Sequence, residues 1–405
     1  MSPYAFGGAL LVAGAAGVFA LLAGRITAWT RVPASLVLLV VAAVASDLWP
    51  RLHHIDHKMV ENIVTVALIY ILFEGGLGLG WHRTREALAP IGVLGVFATF
   101  GTVALMAVVA HGIFGFTWFN ALLLATAISP TDPAVVFSVL NGLTGKAMTV
   151  LAGESGANDP VGIALMAGLV SAGAVSASAF GHIAWDFVLQ LVLGAAVGLV
   201  GGRALLWFAH RVPMESAALN ALRMALGVLP VFGIAVVAHG SGFLAVFVAG
   251  ILLGDPISAD EPPDARSIHG FHVALANLGE ITAFLVLGLS IRLHELAHLN
   301  VWVPGLILAA IVGFVVRPLV AGLCLTRSAL TRNERAFVLF AGLKGAVPIL
   351  LATTIYDAGG GVYDTADRLY GIVVVVVIFS VLVQGTLVPT VAKLLRLSSP
   401  GSATE

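Results

Sequence analysis

Long apolar runs separated by short polar breaks dominate the chain. Runs of about 17–25 residues, folded as helices, match the thickness of a bilayer's hydrocarbon core. The runs are continuous rather than alternating, which favours helices over barrel strands. The pattern predicts about thirteen transmembrane helices, at 5–23, 33–49, 59–79, 87–110, 117–139, 147–175, 183–209, 217–238, 242–254, 271–291, 301–323, 334–355 and 369–395.

Composition supports a membrane location. The 405 residues are 59% hydrophobic and 10% charged, with a mean hydropathy of +1.04, whereas soluble domains carry about 25% charged residues. We therefore predict an all-α membrane protein. The net charge of −1 gives no indication of a nucleic-acid partner, and the single cysteine, Cys324, excludes an internal disulfide. The first span lacks a basic n-region, so we expect a retained helix rather than a cleaved signal.

The basic residues predict the orientation. With the N-terminus outside, 14 of the 20 Lys and Arg residues fall on the cytoplasmic side, 4 fall outside, and Arg317 and Lys344 lie inside apolar runs. Such a bias is typical of an N-out, C-in inner-membrane protein. We expect one transmembrane unit over residues 1–396 and a short cytoplasmic tail over 397–405, with no soluble domain after it.

Three acidic residues, Asp132, Glu154 and Asp159, lie inside apolar runs. Each costs about 2.5–3.5 kcal/mol at mid-bilayer on insertion scales, and intramembrane ionisable groups usually serve function. Glu74 and Glu280 lie near helix ends, where an interfacial position is the simpler interpretation and a role in gating or packing the alternative.

Two predicted helices contain breaks. In the fifth, Pro133 follows Asp132 and removes a helical hydrogen bond, so the helix should open near Thr131. The twelfth is interrupted by the segment 342–348, which holds two glycines, Lys344 and a proline. The two broken helices are the fifth and the twelfth, seven helices apart in chain order. This spacing is typical of an inverted repeat, here of helices 1–6 and 8–13, with a transporter site where the broken helices cross.

Each charged residue at these breaks has a simpler interpretation. Asp132 can act as an N-cap alone. Lys344 can offset the dipoles of the half-helices or can snorkel to an interface.

The sixth predicted helix places polar residues on two adjacent faces. Ser155 and Asp159 are four residues apart and share one face, while Glu154 and Asn158 share the next. We expect one face to line an ion path. We predict that Glu154 pairs with Arg317, since either charge buried alone would be costly; the alternative places Arg317 at an interface.

Together and in order, these motifs resemble the monovalent cation/proton antiporter family, in its Asn-Asp branch. The resemblance covers nearly the whole chain and includes a Phe-Glu-Gly-Gly segment at 73–76. It implies a homodimer of thirteen-helix subunits, each with a dimerisation and a core subdomain, the core moving like an elevator. It also implies exchange of Na⁺ or K⁺ for H⁺, and the segment around Lys344 is similar to that of potassium-transporting members.

Site roles follow from the same resemblance. Asp159 would carry the ion or proton, and the monovalent cation would bind at Asp159, Asp132, Ser155 and the Thr131 carbonyl. A structural cluster would consist of Glu154, Asn158 and Arg317, and Lys344 would be the charge of the crossing helices. No catalytic residue, cofactor or nucleic-acid partner is expected.

Competition of cation and proton for one buried carboxylate would couple their movements, and Asn158 in place of a second acid indicates electroneutral 1:1 exchange. A cation channel is the alternative, since it also uses buried acids. An intramembrane serine protease is a remote alternative because 153–156 reads Gly-Glu-Ser-Gly, but most histidines that would serve as its base lie in loops or at helix ends.

Overall fold

The structure is a computed structural model of the chain. It describes residues 14–22 except 16, 33–48, 57–132, 145–173, 177–212, 214–259, 263–291, 293–296, 298–358 and 366–397. Most of the first predicted span, at 5–23, and Pro133 in the fifth lie outside the described residues.

Helices make up the described part of the chain, which contains no strand. In chain order they are α1 (Ala34–Leu48), α2 (His57–Gly92), α3 (Thr99–Phe114), α4 (Trp118–Ala127), α5 (Lys146–Ala172), α6 (Ala177–Arg211), α7 (Ala217–Val237), α8 (Gly242–Ala259), α9 (Pro263–Ser290), α10 (Leu293–Leu296), α11 (Leu299–Ile311), α12 (Arg317–Cys324), α13 (Arg332–Phe340), α14 (Ala346–Ala358), α15 (Ala366–Phe379) and α16 (Thr386–Leu394).

The prediction of an all-α membrane protein is confirmed for the described residues. Six helices or helix runs are long and apolar enough to cross a bilayer, and shorter apolar helices lie between them. The predicted N-out orientation stays a prediction.

The third and fourth predicted spans are helices that follow each other across a kink, without a loop between them. Gly80 breaks the helical conformation of α2 with φ 65° and ψ 161°, a region that glycine adopts without steric cost. The helix resumes at once, and Asp255 of α8 accepts a 2.8 Å hydrogen bond from the freed His82 N–H. Both predicted helices are therefore present, and the connection between them is a kink at Gly80 rather than a loop over 80–86, because a partner on α8 satisfies the backbone at the bend.

The predicted twelfth helix is divided in two. Thr331 starts α13 with a capping box, in which its side chain and that of Glu334 each accept a bond from the other's backbone N–H. The chain is non-helical over 341–345 and then enters α14. The fifth predicted helix likewise ends early, since α4 stops at Ala127 and the chain is non-helical from 129 to 132.

Within the described residues, three π-helical turns interrupt long helices, at Val93–Ala98, Val312–Val316 and Ser380–Gly385. The first joins α2 to α3, the second joins α11 to α12, and the third joins α15 to α16. Such turns re-aim the residues that follow them and are frequent at functional sites.

Helix α8 packs between α2 and α6 at very short backbone distances. A Cβ on Gly198 of α6 would lie 2.5 Å from the Ala245 carbonyl oxygen, and one on Gly250 of α8 would lie 2.5 Å from the Phe73 carbonyl oxygen. Only glycine allows these approaches, which resemble the small-residue contacts of other membrane helices.

Gly198→Ala should therefore lower the free energy of unfolding by about 1–3 kcal/mol through overpacking. The measurement is the thermal unfolding midpoint of the purified protein in detergent. Gly233→Ala is the matched control, because a Cβ there would meet nothing within 4 Å. Equal midpoints for the two variants would contradict the close packing of α6 on α8.

Candidate functional site

Helix α5 carries four polar residues of the candidate site. Glu154, Ser155, Asn158 and Asp159 are all buried, with exposed fractions between 1% and 6%. Pro160 lies inside the same helix. A proline has no N–H to donate to the carbonyl four residues earlier. That backbone carbonyl of α5, close to the acidic residues, is therefore left without its helical donor.

The two non-helical segments meet next to α5. The backbone N–H of Asp132 donates a 2.8 Å hydrogen bond to the carbonyl of Leu343. A Cβ on Gly345 would collide with the Asp132 carboxyl group. The structure thus brings together the two sequence-predicted breaks and places the partly buried Asp132 directly against the second one.

Thr131 is held by two residues of α5. The Ser155 hydroxyl donates a 2.6 Å bond to the Thr131 carbonyl. The Asn158 amide nitrogen donates to the Thr131 hydroxyl at 2.7 Å, and its amide oxygen accepts from the Thr131 N–H at 3.4 Å. These bonds hold the Thr131 carbonyl oxygen and the Ser155 hydroxyl oxygen 2.6 Å apart. Both oxygen atoms have lone pairs.

Lys344 is buried inside the bundle, with 2% exposed. Its Nζ donates a 2.8 Å bond to the Ser129 carbonyl, just beyond the C-terminal end of α4. A cation is favourable at this end because helix carbonyls there carry partial negative charge. The structure thus places the buried Lys344 ammonium group at the end of α4.

Glu154 and Arg317 form a buried bidentate ion pair. Nη1 of Arg317 bonds Oε1 of Glu154, and Nη2 bonds Oε2 at 2.7 Å. Nη2 also donates to the Val338 carbonyl near the end of α13 at 3.3 Å. The pair that sequence analysis expected is present, and it ties α5 to α12 and α13.

Asp159 has a buried carboxylate oxygen, Oδ1, without a hydrogen-bond partner among the described residues. Asp159 interacts electrostatically with Asp132 and Lys344. A buried carboxylate oxygen without a partner is costly, and a proton or a small cation would satisfy it.

Sequence reasoning missed two polar residues of the last helix run. Ser380 accepts a 3.0 Å bond from the Lys344 N–H and donates a 2.9 Å bond to the Gln384 Oε1. Both residues are buried and lie in the third π-helical turn. The only sequence signal was polarity inside an apolar run.

Glu280, which the sequence places near a helix end, is partly buried. It interacts electrostatically with Asp132, and its side chain hydrogen-bonds that of Ser35 on α1. Both interpretations of Glu280, an interfacial position or a role in gating or packing, stay predictions.

Comparison with known proteins identifies relatives over nearly the whole chain. A family model described as "Sodium/hydrogen exchanger, transmembrane" matches residues 17–394. The chain is 30% identical over 397 residues to the K(+)/H(+) antiporter NhaP of Alkalimonas amylolytica, covering 96% of this chain and 67% of the relative. It is 31% identical over 377 residues to the K(+)/H(+) antiporter NhaP2 of Shewanella oneidensis, covering 91% and 64%. The chain thus spans about two thirds of the length of these curated relatives.

The fold also matches a solved structure. The sodium proton antiporter MjNhaP1 of Methanocaldococcus jannaschii superimposes with a TM-score of 0.77, at 20% identity, over 95% of this chain and 99% of that one. This likeness shows the fold alone.

Glu154→Gln should destabilise the protein by about 3–5 kcal/mol, because it leaves the Arg317 charge buried without its partner. The measurement is the thermal unfolding midpoint together with the yield of monodisperse protein. Glu215→Gln, at an exposed position, is the control and should be neutral. The double change Glu154→Met with Arg317→Met should recover part of the loss, since no lone charge remains; a single variant as stable as the control would refute the assignment.

Proposed function

The chain belongs to the sodium/hydrogen exchanger family, a family of transporters rather than enzymes, and we propose that it exchanges a monovalent cation, K⁺ or Na⁺, for H⁺ across the membrane. One observation carries the proposal: a buried carboxylate oxygen of Asp159 without a hydrogen-bond partner, beside polar groups that suit a cation. The relatives named as K(+)/H(+) antiporters support potassium as the first ion to test.

The ligands of the cation are oxygen atoms. We propose that Asp159 supplies the charged ligand and that the Ser155 hydroxyl, the Thr131 carbonyl and the Asp132 carboxylate complete the site. Hard cations prefer carboxylate, hydroxyl and carbonyl oxygens. The 2.6 Å Ser155–Thr131 bond supports this arrangement, because it presents two of these oxygens together. No resident cofactor is proposed.

Exchange follows from competition at Asp159. A proton and a cation both neutralise the carboxylate, and the empty anion is the most costly form to move through the low-dielectric interior. If only the loaded forms cross, each cation that moves one way is matched by a proton moving the other. Asn158 adds no charge to α5, which supports electroneutral 1:1 exchange.

Lys344 has a structural part in this scheme. Its buried ammonium group satisfies the Ser129 carbonyl and partly offsets the charge of Asp159. We propose that it stabilises the crossing of the two unwound segments, for which the Asp132–Leu343 backbone bond is the main support.

A cavity supports alternating access to Asp159. A space of about 540 Å³ lies between α5 and the helices α6, α7 and α8, and Pro160, next to Asp159, is part of its lining. We propose that α5 and the two broken helices form the core that moves as an elevator, and that α6–α8 belong to the part it moves against. A homodimer in the inner membrane, oriented N-out and C-in, completes the proposal.

Asp159→Asn should abolish cation-driven proton movement, because a neutral amide cannot bind a cation and a proton alternately. Purified protein is sealed into liposomes with an internal pH dye, and K⁺, Na⁺ or Li⁺ is added against a proton gradient. Asp367→Asn, at an exposed position remote in sequence, is the control and should keep full exchange.

The same liposomes separate the antiporter from a channel. A channel would pass the cation with no obligatory proton flux and would respond to membrane potential alone. Retained exchange in Asp159→Asn would remove Asp159 from the proposed mechanism.

The concentration of cation that gives half-maximal exchange should rise as the pH falls, because protons then occupy a larger share of the Asp159 carboxylates. This is the behaviour of two ligands that compete for one carboxylate. The measurement is a cation titration at several symmetric pH values in wild-type liposomes. A pH-independent half-saturating concentration would show that proton and cation use separate sites.

A further inference from the structure

A large cavity lies away from Asp159. Its volume is about 710 Å³, and its walls come from α2, the start of α5 and the segment after α12. None of the proposed cation ligands lines it. It is therefore a separate feature that ion exchange at Asp159 does not explain.

The charged residues around this cavity are mostly basic. Arg83, Lys146 and Arg327 line it from three different parts of the chain, with one carboxylate, Glu86. The three basic side chains are exposed and make no ion pair or hydrogen bond within the described part of the chain. With three cations and one carboxylate among its described lining residues, the cavity carries a net positive charge.

The remaining walls are mainly apolar. They include Pro90, Val93, Val150 and Leu330. Trp81, two residues before Arg83, is 42% exposed, as expected for an aromatic residue at the membrane–water boundary. The cavity thus combines basic groups with an apolar interior near the end of a membrane helix.

We propose that this basic cavity binds a phosphate-bearing amphiphilic anion, with the phosphate on Arg83, Lys146 and Arg327 and the apolar part against the inner walls. Basic pockets between membrane helices are suited to anionic lipid headgroups, and arginine pairs well with phosphate. An anionic phospholipid is the source that the apolar walls favour, and a soluble phosphate compound is the second source of the same chemistry.

The residues that line the cavity belong to, or pack against, the helices that carry the proposed cation site. Val93 begins the first π-helical turn, and Gly95 in that turn packs against Ala157 of α5. Cys324 lines the cavity and interacts electrostatically with Arg317 and Glu154. A bound anion would therefore brace α2, α5 and α12 at one end of the helices that hold Asp159.

Cys324 makes the proposal directly testable, because it is the only cysteine in the chain and it lines the cavity. The rate of its modification by N-ethylmaleimide is measured in nanodiscs of phosphatidylcholine alone, of phosphatidylcholine with phosphatidylglycerol, and of phosphatidylcholine with added inorganic phosphate or a nucleoside monophosphate. Native mass spectrometry of the same samples counts retained anions. Neither readout depends on transport, so the outcome is independent of the proposed exchange.

The triple variant Arg83→Gln, Lys146→Gln, Arg327→Gln tests the basic residues. Each charge removed should weaken binding about fivefold, and all three about a hundredfold. The control carries Arg203→Gln, Arg211→Gln and Lys393→Gln, which remove three exposed cations outside the cavity, and it should bind like wild type.

We expect phosphatidylglycerol to slow Cys324 modification and to appear as an adduct in wild type and control, but not in the triple variant. Protection by the soluble phosphate compound alone would support the site and assign it to a soluble ligand. Equal modification rates under all conditions, without a retained anion, would overturn the proposal and leave the three cations with a role in membrane orientation only.

Discussion

Inside a bilayer, a backbone group that leaves a helix has no water to bond, and the architecture around Asp159 depends on this constraint. The segments 129–132 and 341–345 leave the helical conformation at the same place. Each supplies what the other lacks: the N–H of Asp132 bonds the carbonyl of Leu343, and Lys344 bonds the carbonyl of Ser129. Because these bonds replace the lost helical ones, carbonyls and a carboxylate can be held deep in the fold without collapse of either segment.

Several features of this arrangement were predictable from residue type and spacing. An arginine inside an apolar run, Arg317, needed an acid, and Glu154 was positioned to supply it. The breaks in the fifth and twelfth spans followed from proline, glycine and charge inside apolar runs. Hydrophobic length alone predicted an all-helical membrane protein, since apolar runs of this kind have few alternatives.

Other features were not predictable, because they depend on contacts between residues distant in sequence. Nothing local to Gly80 indicates that Asp255 will satisfy the next turn, so a loop was expected where a bend exists. The bond from Lys344 to Ser380, and from there to Gln384, arises only after a π-helical turn rotates the last helix run. The basic cavity likewise joins Arg83, Lys146 and Arg327, which no spacing rule connects.

The two hydrogen bonds between Asn158 and Thr131 restrict which side chain can stand at position 158. Both ends of the amide are in use, with its nitrogen donating to the hydroxyl and its oxygen accepting from the N–H. An aspartate would keep the second bond and could keep the first only if the threonine hydroxyl turned to become the donor. The exchange of one nitrogen for one oxygen would therefore keep the outline of the side chain and add a negative charge to α5, next to the segment that Thr131 belongs to.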